Sequence, residues 1–185
     1  CCSLKNEGVT EVLDAAVKYL PKASSHAPYT TVDGKEIAAD PNGKPVGYVF
    51  KTIADPFLGK ISLVKVISGK LTNGMELYNS RAEKSEKIAS MFFMRGKSQG
   101  ECPSAEAGDI VAIAKLQFAQ TGDTLSDKAT AAELPRVDFP SPSLYIAVEP
   151  KTKGDDEKVG TGLNKLMEED PSFKLERNSE TKQTL

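Results

Sequence analysis

Between Val46 and Lys128 the chain consists of short β-branched and aromatic stretches broken by glycine, Asn-Gly and Asp-Pro. That punctuation restricts it to a small antiparallel β-structure, because each stretch has strand length and each break favours a reversal. Residues 47–53 (Gly-Tyr-Val-Phe-Lys-Thr-Ile) have strand composition and stop at Asp55-Pro56. Residues 60–68 alternate around Ile61 and Leu63, then shift phase at Val64, Val66 and Ile67. Such a shift marks a bulge or a strand buried on both faces, as in small barrels. Thr72-Asn-Gly74 is a tight reversal. Residues 75–78, 87–94 and 109–114 read as further strands, and 121–125 closes the set. Five or more short strands predict a mainly β chain with a small antiparallel barrel over residues 46–133.

The flanks read differently. Val9, Leu13, Ala16, Val17 and Leu20 make one apolar stripe, so residues 9–20 are a helix that Pro21 stops. Twelve residues are marginal as an isolated helix, so the stripe must pack on something. No partner precedes it, and residues 1–21 are expected to be the remnant of a domain that lies outside this chain. Periodicity vanishes over 22–45, where Asp33-Gly34 and Asp40-Pro-Asn-Gly43 are turn signals. This stretch reads as a linker with a short edge strand near residues 35–37. Three prolines stiffen a connector over 134–142. Over 143–185 the pattern is a strand at 144–148, a helical stripe of Val159, Leu163, Leu166 and Met167 ending at Asp170-Pro171, and a strand at 173–177. A turn at 179–182 and the start of another strand at 183–185 follow. That order is the first half of a ferredoxin-like αβ domain.

Little in the chain points to catalysis. With 24 basic and 26 acidic side chains the net charge is −2, so nucleic-acid contact must come from a local patch. Cys1, Cys2 and Cys102 are too few for a disulfide framework, and the adjacent pair is not a metal-ligand spacing; no metal site is expected. The single histidine, His26, sits in the linker without an orienting partner. Neither a G-x-x-x-x-G-K-[ST] phosphate loop nor an apolar run of membrane-spanning length is present, and Cys1-Cys2-Ser-Leu-Lys-Asn does not read as a signal peptide. Asp155, Asp156 and Glu157 suit the positive end of a helix dipole without a ligand. Glu168-Glu169-Asp170 sits awkwardly at the negative end, where a cationic neighbour would fit. Arg81, Lys84, Lys87, Arg95 and Lys97 place five cations on one hairpin and its exit, diluted by Glu83 and Glu86. Such a hairpin can meet phosphates, or stand as a mixed-charge solvated edge.

Four stretches carry a resemblance: Asp55-Pro-Phe-Leu-Gly-Lys60, Ser68-Gly-Lys-Leu-Thr-Asn-Gly74, Ala107-Gly-Asp-Ile110 and Thr121-Gly-Asp-Thr-Leu125. They resemble the second domain of translational GTPases of the elongation factor G type. Glu149-Pro-Lys-Thr-Lys-Gly154 and Glu168-Glu-Asp-Pro-Ser-Phe173 resemble the start of that factor's third domain, and Ser3-Leu-Lys-Asn-Glu-Gly-Val9 with Tyr19-Leu-Pro21 resembles the end of its GTP-binding domain. The resemblance implies a cytoplasmic parent that binds GTP and Mg²⁺, docks on the ribosome and drives movement of tRNA and mRNA. Its second domain would be a Greek-key barrel contacting small-subunit rRNA, for which Arg81, Lys84, Lys87, Arg95 and Lys97 are the candidates here. Its third would be ferredoxin-like. Other implied partners are the parent's own GTP-binding domain and the rest of domain III, with no membrane.

The chain departs from the family pattern in two places. Cys2-Ser3 stands where the family's last guanine-binding motif usually reads Ser-Ala, and at that place the resemblance implies Ser3 as the remnant of the parent's guanine contact. Lys115-Leu116 stands where Gly-Leu is usual. The P-loop, the switches and the Asn-Lys-x-Asp motif do not occur, so this chain is expected neither to bind cofactors nor to hydrolyse GTP. Alternative readings are a ribosomal protection factor of the tetracycline-resistance kind, a paralogue with a recycling role, or a barrel adaptor that binds proteins away from the ribosome.

Overall fold

A computed structural model describes residues 1–96, 98–152, 154–178 and 184. Helix α1 (Val9–Tyr19) follows the apolar stripe and ends where Leu20, before Pro21, turns extended. Among the described residues the stripe is covered only in part, at Val9 and Ala16. Val12, Leu13, Val17 and Leu20 are all at least half exposed.

The segment read as a linker holds a two-stranded ribbon, β1 (Tyr29–Thr30) and β2 (Glu36–Ile37), the second at the expected edge strand. The ribbon is packed down. Tyr29 and Ile37 lie with Tyr48 against buried Val46, Ile67, Ala132 and Leu134, and the Val32 N–H donates to Glu133 O at 2.8 Å. The linker reading is therefore corrected over these residues. Two apolar side chains too far apart to make a period still suffice to anchor a ribbon when a neighbouring surface receives them.

Ten strands follow: β3 (Val46–Asp55), β4 (Gly59–Ser68), β5 (Lys70–Thr72), β6 (Glu76–Asn79), β7 (Lys84–Lys87), β8 (Met91–Arg95), β9 (Ser98–Glu101), β10 (Ser104–Glu106), β11 (Ile110–Ala114) and β12 (Thr124–Ser126). Eight of them pair antiparallel in the order β7-β6-β12-β3-β4-β11-β8-β9, and β5 pairs with β10. β12 returns to lie between β6 and β3, and β11 between β4 and β8, which is Greek-key connectivity. Both sheets feed one core, with Val49, Val64, Leu71, Leu77, Ala105, Ile113 and Leu125 all buried together. This is the mainly β, antiparallel Greek-key architecture that the sequence predicts.

The phase shift in β4 has a physical cause. Val64 and Val66 face the main core, whereas Ile61 and Leu63 pack outward with Ile53, Leu58, Phe92, Ala112 and Ala114. Register with β3 shifts between Val46 and Gly47 and again between Val49 and Lys51. The strand is thus covered on both faces and bulged.

The expected single strand at 87–94 is two strands. The chain breaks at Ile88, whose N–H donates to Met75 O and whose carbonyl accepts the Gly74 N–H, both at 2.8 Å. β8 then leaves to pair with β11. β9 and β10 escape sequence reading because Ser-Gln-Gly-Glu and Ser-Ala-Glu lack strand composition; their partners supply the ladder.

Helix α2 (Asp156–Glu169) matches the second stripe. The flanking stretches 144–148 and 173–177 are not regular strands. Each makes one antiparallel bridge, Val148 to Thr184 and Arg177 to Thr184. Thr184 thereby lies between Val148 and Arg177. The expected turn at 179–182 lies outside the described residues, as does most of the strand expected at 183–185.

Candidate nucleic-acid interface

β6 and β7 form a hairpin in which Glu76 stands opposite Lys87 and Asn79 opposite Lys84, and Arg81 sits in the turn. Arg81 is committed to Asp123. Its Nε donates to Oδ1 at 2.6 Å and its Nη2 to Oδ2 at 2.9 Å, while Nη2 also donates to Phe118 O at 3.0 Å. The Asp123 side chain is fully buried, and its Oδ2 further accepts Asn79 Nδ2–H and the Gln120 N–H, each at 2.9 Å. Arg136 Nη2 lies 3.4 Å from Oδ1 and donates to Thr121 O at 3.0 Å. Burial pushes the Asp123 carboxyl up, but the hydrogen bonds from Arg81, Asn79 and Gln120 outweigh it and hold the group below the usual carboxylate range. The same pairing raises the Arg81 guanidinium. Arg81 thus braces the barrel and is not a free cation for a phosphate.

Lys84 and Lys87 are exposed on β7, with Lys84 Nζ 4.2 Å from the Phe118 ring centroid, within cation–π range. Glu86 between them is buried. Its carboxylate accepts the Gln117 N–H at 2.6 Å and the Phe118 N–H at 3.0 Å. Its charge is turned inward, so of the two acids that dilute the patch in sequence only Glu83 remains exposed.

Arg95 ends β8 opposite Ser98 and is exposed. Lys97 lies outside the described residues. β7 and the β8–β9 hairpin stand at the two ends of the pairing order, so Arg95 lies on a different hairpin from Lys84 and Lys87. The break at Ile88 separates Lys84 and Lys87 from Arg95. Ser3 begins an exposed 3-10 turn whose hydrogen bonds run among Cys2, Ser3, Lys5, Asn6 and Glu7, so it is not part of either group.

The other sequence candidates have local structural roles. His26 stacks on Tyr29 with ring centroids 4.5 Å apart. Asp40 closes an Asx turn onto Asn42 N–H at 2.9 Å, and its carbonyl accepts Gly69 N–H at 2.8 Å. Asp155 pairs with Lys158 at 2.7 Å. Glu169 finds a backbone donor where a cation was expected, accepting Ala54 N–H at 2.6 Å. That contact ties α2 to β3 beside a cleft of about 670 Å³, whose lining includes Lys60, Thr121, Arg136, Asn164, Met167 and Glu168.

Lys115, at the departure from Gly-Leu, has φ +63°. The corner keeps the left-handed conformation that suits glycine, at a cost of about 1–2 kcal/mol for a side-chain-bearing residue. Lys115→Gly is expected to stabilise the barrel by about 0.5–1 kcal/mol after the added unfolded-state freedom is subtracted. A lower urea midpoint for the variant would contradict this.

The Asp123 and Glu86 nodes were missed in the sequence. Thr121-Gly-Asp-Thr-Leu125 marked the place of Asp123, but its partner Arg81 is 42 positions away. No periodic or motif signal connects such residues.

Comparison with known proteins gives two consecutive matches. The profile described as elongation factor G domain 2 matches residues 44–128, and the one described as elongation factor G, domain III, matches residues 139–185. Among solved structures, the chain is similar to a crystal structure of a protein from Thermus thermophilus, with a TM-score of 0.75 and 28% identity. That alignment covers 96% of this chain and 25% of the other, so the chain spans about a quarter of the length of that protein. Among the described residues no helix is long and apolar enough to cross a membrane.

Proposed function

The chain belongs to the elongation factor G family as a translation-factor module carrying domain 2 and domain III, and from that premise we propose that it docks on the ribosome by contacting small-subunit rRNA. In the parent protein it serves the GTP-dependent movement of tRNA and mRNA in the cytoplasm. The observation that carries this reading is the pair of consecutive domain matches on a chain whose strands share one buried core. GTP binding and hydrolysis, with the Mg²⁺ they need, belong to the parent's GTP-binding domain. This chain acts as a non-catalytic platform, and measurable GTP turnover by the purified chain would refute that part.

Of the described candidates, Lys84, Lys87 and Arg95 are exposed and open to phosphate contact, since Arg81 is engaged with Asp123. Phosphate contacts position a protein on RNA and weaken with salt. Joint reversal of Lys84, Lys87 and Arg95 to glutamate is expected to lower affinity for purified small subunits about tenfold at 0.1 M salt and to flatten its salt dependence. Sedimentation binding measures both, and unchanged affinity refutes the assignment. Arg81 is unsuited to that test, because reversing it would place a carboxylate against buried Asp123.

A further inference from the structure

We propose that Glu169 is a clasp: it fastens α2 to the open edge of β3, and the stretch beyond the barrel swings on its connector when the clasp opens. The socket is a backbone group that the sheet leaves over. β12 pairs with β3 only at Val46–Tyr48, and the last backbone bonds on that side join Val49 to Gly122 and Asp123. Beyond Val49 the ladder of β3 runs on the β4 side alone. Ala54 stands opposite Lys60, whose carbonyl accepts the Lys115 N–H at 2.9 Å and so points away from β3. In an antiparallel ladder both members of such a pair point outward. The Ala54 N–H therefore faces the open edge, where Glu169 Oε1 accepts it at 2.6 Å.

The helix itself does not call for an acid at this place. Glu168, Glu169 and Asp170 stand at the negative end of α2, against the helix dipole and with no basic residue in the last turn. Glu169 instead satisfies a donor in another part of the chain. Little else closes the joint. α2 meets the barrel at β3, and beside that contact an open cleft of about 670 Å³ lies between Asn164, Met167 and Glu168 on one side and Lys60, Gln120 and Thr121 on the other. Leu166 on α2 stays about half exposed. A joint that is small and polar lets the parts on either side of it move.

The pivot has a fixed root. The Leu134 N–H donates to Thr124 Oγ1 at 2.9 Å, the Tyr48 hydroxyl to Pro135 O at 3.4 Å, and Arg136 Nη2 to Thr121 O at 3.0 Å. Over 137–142 the connector has no regular structure, and Val137 and Phe139 are exposed. The clasp is also reversible. Ala54 N–H lies on an open edge and Glu169 in solvent, so opening hands both groups to water and leaves no buried polar atom unpaired. The inference goes beyond the ribosomal reading and does not rest on it.

The test uses the whole 185-residue chain. Glu169→Ala is expected to speed amide exchange at Ala54 about tenfold. NMR relaxation is expected to show α2 tumbling faster than the barrel in that variant and together with it in the unaltered chain, while the barrel's Tm is unchanged. Glu169→Gln keeps an acceptor oxygen and is expected to restore slow exchange and common tumbling. Unchanged exchange at Ala54, common tumbling in Glu169→Ala, or a glutamine variant that behaves like the alanine one overturns the clasp. So does an unaltered chain in which α2 already tumbles apart from the barrel. Ribosome binding enters none of these readouts, so the clasp and the docking assignment stand or fall separately.

Discussion

Asp123→Asn is expected to destabilise the barrel by about 3 kcal/mol, read as a lower urea midpoint at neutral pH. The carboxylate is fully buried and gathers Arg81 in two hydrogen bonds, Asn79 Nδ2–H and the Gln120 N–H. An asparagine of the same shape turns an amide N–H₂ toward donors that already fill the site, and the Arg81 charge loses its counterpart. Removing one member of a buried pair costs roughly 3–5 kcal/mol. The low end applies because Arg81 keeps 31% of its side chain in solvent. The sign of the pH dependence follows from the depressed carboxyl. Its contribution is fully present above the unfolded value near 3.9 and is lost as pH falls through the lower folded value. The stability gap between the two proteins should therefore narrow below about pH 4. A gap under about 1 kcal/mol at neutral pH, or one that widens in acid, would show that this node does not hold the barrel.

Gly69→Ala is expected to cost about 3 kcal/mol, while Gly74→Ala, at a more open turn, costs about 1–2 kcal/mol. Both positions have positive φ, +69° and +84°, so both variants carry the same backbone strain. They differ in space. A Cβ on Gly69 would lie 2.6 Å from Lys44 C and Pro45 N and 2.7 Å from Gly43 O, all backbone atoms, whereas a Cβ on Gly74 meets nothing within 4 Å. The Gly69 variant must also disturb its hydrogen bond to Asp40 O, which clips the 40–45 turn onto the end of β4. Urea unfolding of the two variants side by side separates strain from collision. Equal losses would show that the 43–45 segment yields freely.

Much of the fold was legible because its signals act over a few residues. Alternation at 47–53, the Asn73-Gly74 reversal and the stripes of α1 and α2 each reflect a local period or a local turn. The break at Ile88 was not legible, since nothing in Lys-Ile-Ala-Ser distinguishes one strand from two until Met75 and the β11 strand compete for the segment's two ends. The candidate interface was legible as a list of cations but not as a surface. Arg81 reads the same as Lys84 in sequence, yet one is pinned to a buried carboxylate and the other stands in solvent.

Most of the short strands, their turns and the flanking helices were thus set by composition and spacing, while the resemblance to elongation factor G domains lay in particular motifs such as Asp55-Pro-Phe-Leu-Gly-Lys60 and Thr121-Gly-Asp-Thr-Leu125. Tertiary structure alone decided which charges are free, which glycines cannot change, and that the ribbon at 29–37 packs against Ala132 and Leu134. The physical reason is range. Hydrophobic periods and turn preferences are properties of neighbouring residues, whereas the pairing of Arg81 with Asp123 and of Glu86 with the 117–118 backbone joins positions that only the closed sheet brings together.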